Sequence, residues 1–165
     1  MISQELENKL LLEVIGKVKE ETSEWKDALK IGVICVSPDY SSIVGLRVLH
    51  SLSRGGELPQ YVFLDVAYPD DSQEKKDSYK RVLQVVAPHF KKIMDKIVLV
   101  EAAVITGGNY TWIIEELTKV GFAQEDILTL ALVEHKDSVF KSKIVGDYVN
   151  EVPTFYWEEY NKHWD

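Results

Sequence analysis

The sequence predicts a single α/β domain built on a doubly wound parallel sheet. Two observations carry this: short β-branched runs alternate with amphipathic helical stretches, and the runs are apolar throughout, as strands buried on both faces must be. A third is size. At 165 residues and 45% apolar content the chain supplies one full core and needs no second domain. The expected organisation is an N-terminal helix within 1–29, a core over 30–157 and a short aromatic tail over 158–165.

Leu6, Leu10, Leu11, Val14 and Val18 recur on one helical face, so a leading helix is expected from Ser3, a suitable N-cap, to about Glu24. Lys30 to Val36 is the first strand, closed by the turn Ser37-Pro38-Asp39. A helix starting at Ser41 or Ser42 runs to about Ser53 and stops at Gly55-Gly56. Tyr61 to Val66 is the second strand, and the charged segment Ala67 to Asp77 reads as a mobile excursion. Ser78 to Met94 is helical in pattern, with a break or kink expected at Pro88, which lacks the N–H that a helix interior requires. Ile97 to Val100 forms the third strand. Tyr110 to Val120 is the next helix, with Glu115 and Lys119 paired at i,i+4 and Gly121 as its stop. Ile127 to Val133 is the fourth strand and Lys143 to Val149 a short fifth. There is no internal repeat and no low-complexity segment.

Charge and cysteine content narrow the function classes. A formal net charge of −8, with Lys and Arg scattered among acids, leaves no basic stripe for nucleic acid. A small anion remains compatible, because amides at a helix N-terminus attract phosphate locally. The one cysteine, Cys35, lies in an apolar run and is expected to be a buried, inert thiol. No apolar run approaches the roughly 20 residues that span a bilayer, and the first residues mix acids with apolar side chains, unlike a secretory signal. A soluble, cytoplasmic protein with no membrane contact is expected. The four histidines are widely separated, with no metal-ligand spacing, so no metal site made by protein alone is expected. Neither a GxSxG elbow nor a GxGxxG fingerprint occurs.

The stretch KIVLVEAAVITGGNY, Lys96 to Tyr110, is the most informative. An apolar strand ends in an acid, crosses four small or apolar residues and opens into Thr106-Gly107-Gly108-Asn109 before a helix. Two glycines let the backbone approach a ligand and turn its amides inward, and the helix adds its positive end. Taken alone the Gly-Gly pair reads first as a tight turn.

The whole frame resembles the phosphoribosyl-diphosphate (PRPP) motif of the type I phosphoribosyltransferase family, in its purine (hypoxanthine-xanthine-guanine) branch. The resemblance implies a phosphoribosyltransferase-like, Rossmann-like fold. It implies transfer of ribosyl 5-phosphate from PRPP to a 6-oxopurine base with release of pyrophosphate, and Mg2+ carried with PRPP. It places Glu101, Ala102, Val104, Thr106, Gly107, Gly108 and Asn109 at the ribose and 5′-phosphate. Glu101 keeps the first of two family acids. Ala102 stands where the second would be, and Ile105 where many purine enzymes carry a catalytic aspartate, so the motif is degenerate. Restoring the acid as Ala102→Asp is expected to raise PRPP affinity or turnover. Ser37, Pro38, Asp39 and Tyr40 fall at the pyrophosphate loop, with local turn hydrogen bonding as the alternative for Ser37 and Asp39. Tyr68 and Lys75 fall in the family's active-site hood. Lys136, in competition with His135, falls at the purine oxygen. Phe155, Tyr156 and Trp157 are the stacking candidates, with packing of the tail as the alternative. The partners implied are PRPP and a purine base or nucleotide, and a homodimer is compatible with the resemblance. The rival reading is a phosphoribosyltransferase-like protein that has lost catalysis and binds nucleotides or partners.

Overall fold

The computed structural model describes residues 3–27, 30–36, 38–53, 59–66, 71–151 and 154–155. Helix α1 (Gln4–Glu21) is capped by Ser3, whose Oγ accepts the Leu6 N–H at 3.2 Å. It ends before Glu24, because the chain tightens into a 3-10 segment over Thr22–Asp27. Strand β1 (Ile31–Val36) leads to α2 (Pro38–Leu52), β2 (Gln60–Leu64), α3 (Gln73–Ile93), β3 (Lys96–Val104), α4 (Gly108–Lys119), β4 (Ile127–His135) and β5 (Ile144–Val149). The strands form one parallel sheet in the order β2-β1-β3-β4-β5.

Alternation along the strands divides the core between two faces. Val33, Val98, Val100 and Leu130 pack against Leu10, Val14 and Val18 of α1 and Val44 and Val48 of α2. On the opposite face Ile34, Ile97 and Leu99 meet Leu83, Ala87 and Phe90 of α3 and Ile113 and Leu117 of α4. The doubly wound sheet is therefore present as the sequence predicts.

Several boundaries differ from expectation. Helix α2 begins at Pro38, not at Ser41 or Ser42, since a proline fits a first helical turn where its missing N–H has no partner to lose. Helix α3 begins at Gln73, capped by Ser72 Oγ accepting the Lys75 N–H at 3.3 Å, so part of the charged excursion is helix. It passes through Pro88 without the expected break, because Leu83, Ala87 and Phe90 anchor it on both sides while Pro88 faces outward. Strand β3 continues four residues past Val100, and β4 two past Val133. Lys119 pairs with Glu116 at 2.6 Å rather than with Glu115. Gly121 does stop α4: with φ at 100°, its N–H reaches Thr118 O at 3.0 Å and the Phe122 N–H reaches Leu117 O at 3.2 Å, a Schellman closure.

The eight residues between β4 and β5 return along the sheet without a helix. Glu134, fully buried, takes the place of a strand neighbour there: its Oε2 accepts the Ser142 N–H at 2.8 Å, and Lys141 Nζ lies 3.4 Å from Oε1. Thr129 Oγ1 accepts the Lys143 N–H at 2.9 Å. These side chains supply hydrogen-bond partners for the backbone as it enters β5.

Candidate functional site

Strands β1 and β3 are neighbours at the centre of the sheet, and their following helices go to opposite faces, α2 to one and α4 to the other. This is a topological switch point, where the carboxyl ends of the strands leave a crevice. The β1–β3 ladder ends at the pair Cys35–Val100, and Glu101 is the next residue of β3. The longer β3 puts Glu101, Ala102 and Val104 on the strand itself.

Glu101 is partly exposed, yet protein surrounds its carboxyl closely enough for burial to push its pKa up to about 8. A hydrogen bond from the Asn109 side chain acts in the opposite direction. The acid is therefore mostly protonated at neutral pH, which removes a charge that would repel phosphate. Asn109 is held in turn by Trp112, whose Nε1–H donates to Asn109 Oδ1 at 3.3 Å.

Ala102 alternates to the other side of β3 and is completely buried in the core against α1 and α2. A carboxylate there would sit among apolar side chains, so the expected gain from Ala102→Asp is replaced by a desolvation cost. Val104 is also buried, whereas Ile105 is exposed at the turn. With its apolar side chain, Ile105 offers no proton acceptor.

The Thr106–Asn109 loop turns through a left-handed backbone conformation at Gly107. Gly107 has φ at 77°, and a Cβ there would come within 2.1 Å of Phe140 Cβ, so glycine is required twice over. The Thr111 N–H closes the first turn of α4 onto Gly107 O at 3.1 Å, leaving the N–H groups of Gly108, Asn109 and Tyr110 before the first helical bond. Thr106 Oγ1 accepts one of them, that of Gly108, at 3.3 Å. Beneath the loop, fully buried Tyr110 donates from its hydroxyl to Leu99 O and Leu130 O, and burial raises its pKa well above the ordinary tyrosine value. Phe140 meets the Tyr110 ring edge-on at 5.2 Å. The return segment after β4 is thus clamped over the Thr106–Asn109 loop.

Ser37, and the side chains of Pro38, Asp39 and Tyr40, lie outside the described residues; the backbone of the last three forms the first turn of α2. Lys136 is exposed in the turn after β4. Its competitor His135 is engaged at both ring nitrogens: Nδ1 accepts the Asp137 N–H at 3.1 Å and Nε2 contacts Asn150 O. Phe155 is buried in the core on the α1–α2 face, so its ring packs and does not stack on a ligand. Tyr156 and Trp157 lie outside the described residues, as does Tyr68; Lys75 pairs with Asp71 at 2.6 Å in the first turn of α3.

Cys35 is buried, and burial pushes its thiol up to about 12, as expected of an unreactive cysteine. A separate hollow of about 330 Å³ opens at the amino end of β4, lined by Trp25, Ile127, Lys143 and neighbouring acids. It is at the wrong end of the strands for this fold's ligands. Phe140, Tyr110, Ser41 and Glu134 were not singled out from the sequence as site residues.

No family model matches the chain, and no curated protein is similar to it in sequence. Solved structures are similar in fold. A purine phosphoribosyltransferase from Pyrococcus horikoshii matches with a TM-score of 0.63 and 15% identity, over 94% of this chain and 91% of that one. A xanthine-guanine-hypoxanthine phosphoribosyltransferase from Helicobacter pylori gives 0.62 and 15%, over 98% and 94%. A hypoxanthine phosphoribosyltransferase from Staphylococcus aureus gives 0.60 and 12%, over 88% and 77%. The five-stranded parallel sheet and its flanking helices are those of the phosphoribosyltransferase fold, across nearly the whole chain.

Proposed function

We propose that this protein is a phosphoribosyltransferase that transfers ribosyl 5-phosphate from PRPP to a purine base of the 6-oxopurine type. The observation that carries the reading is the switch point between β1 and β3. Two helix N-termini, those of α2 and α4, open beside adjacent central strands with the neutral Glu101 between them. That arrangement suits a ribose carrying a phosphate at one end and a diphosphate at the other.

In this reading the amides of Gly108, Asn109 and Tyr110 hold the 5′-phosphate, and Thr106 gives up its bond to Gly108 as the anion arrives. Glu101 hydrogen-bonds a ribose hydroxyl, and the first turn of α2, from Pro38 to Tyr40, faces the diphosphate. Lys136 reaches the purine oxygen, with Tyr156 or Trp157 stacking on the base. The C1–oxygen bond breaks with its electron pair passing to the departing diphosphate, while a base nitrogen forms the new bond to C1. The base proton leaves to solvent, because Ile105 cannot take it. Mg2+, bound on the ligand's oxygens, would neutralise the diphosphate.

A second reading is favoured by one specific observation, the replacement of two family acids by buried Ala102 and apolar Ile105. It is a nucleotide-binding protein without turnover. Pyrophosphate release is measured with PRPP, Mg2+ and a panel of purine bases, alongside calorimetry with nucleoside monophosphates. Base-dependent pyrophosphate release supports the transferase. Monophosphate binding without release favours the second reading, and failure to bind either ligand overturns both.

A further inference from the structure

We propose that Ser41 is a positioning residue, which bolts the first turn of α2 to β3 and so sets the distance between the two anion-binding helix ends. The inference rests on the reading above. Past the pair Cys35–Val100 the β1–β3 ladder is finished, and the Ala102 N–H has no strand opposite it on that side. Ser41 Oγ accepts that N–H at 2.8 Å in a fully buried position. The bond joins the turn that follows β1 to the residue next to Glu101, across 61 positions of sequence.

Helix formation does not ask for this contact. A serine within a helix gains little there and often bonds back to its own helix, as Ser51 does when its Oγ donates to Val48 O at 2.7 Å. Ser41 instead reaches out of α2 to meet a strand amide that would otherwise be buried without a partner. The start of α2 therefore cannot slide along the crevice without orphaning that N–H. A ligand with phosphoryl groups at both ends reads the separation of α2 from α4. A nucleoside monophosphate, anchored at α4 alone, does not.

The test uses Ser41→Ala, Ser41→Thr, which keeps the hydroxyl, and Ser51→Ala, which breaks a hydrogen bond on the same helix away from the crevice. Hydrogen exchange, melting temperature and calorimetric affinity for PRPP with Mg2+ and for a purine nucleoside monophosphate are measured on each full-length chain. For Ser41→Ala the expected result is faster exchange confined to the first hydrogen-bonded amides of α2, 41–44, and to 101–102. PRPP affinity should fall by at least about threefold and monophosphate affinity by less than about twofold. Ser41→Thr should restore PRPP affinity relative to Ser41→Ala, and Ser51→Ala should leave both affinities unchanged. Equal losses for the two ligands, exchange changes spread through the sheet, or unchanged PRPP affinity would each overturn the inference. If wild-type protein binds no PRPP, the functional reading falls. The positioning role then falls with it, even if the exchange pattern appears.

Discussion

Glu101 is neutral over much of the working pH range, and this has consequences for stability and for binding. Its carboxyl titrates near 4.5 in the unfolded chain and is pushed up to about 8 in the fold. Between those values the folded chain keeps a proton that the unfolded chain releases. The group's stabilising contribution is therefore complete below about 4.5 and is lost as pH rises through about 8. Glu101→Gln should flatten this part of the profile and melt higher than wild type at alkaline pH, by about 2 to 4 °C per kcal/mol recovered. Melting curves across that window check it; parallel profiles would mean that Glu101 titrates normally. The same variant should remove any fall in phosphate affinity above about pH 8, where ionised Glu101 repels the anion. At Ala102 the sign is opposite to what a restored motif suggests: Ala102→Asp should cost about 2 kcal/mol or more and weaken ligand binding. Denaturant titration with calorimetry decides. The motif identified the right stretch because Thr-Gly-Gly before a helix is a local signal. Which face of β3 each residue takes is set by pairing with β1 and β4, and that a local pattern does not carry.

At the scale of elements, most strands and helices were legible because apolar runs and helical faces reflect burial directly. The misses share a cause. Pro88 and the charged start of α3 were read by local propensity, whereas packing of Leu83, Ala87 and Phe90 on the sheet decides the outcome. Pro88→Ala should accordingly stabilise the protein by about 1 to 3 kcal/mol, by restoring a helical N–H on an exposed face. Chemical denaturation measures this, and a loss of stability would mean that the proline shapes the helix to fit the sheet. The Phe140 clamp was hidden because it joins two loops from different parts of the sequence. Gly107→Ala should destabilise by more than the roughly 1 to 2 kcal/mol of a left-handed alanine, since Phe140 occupies the space as well. A double-mutant cycle with Phe140→Ala should return part of the excess. Strict additivity of the two changes would show that the contact is not limiting.

For the whole molecule, the order β2-β1-β3-β4-β5 makes the crevice a seam between two lengths of chain. Residues 31–64 supply β1, α2 and β2, and residues 96–149 supply β3 to β5. Within each length, strands pair with near neighbours in sequence, whereas Ile31 pairs with Lys96 across the widest interval of any two strands. Contacts between distant segments carry the greatest loop-closure cost and tend to form late. The candidate site should therefore be the last part of the protein to assemble. Two fragments cut between residues 66 and 71 are expected to recombine, and a ligand spanning the seam should act as their glue. Adding PRPP should raise the yield of recombined protein in proportion to its affinity for both sides. A ligand touching only the α4 side should leave that yield where it was.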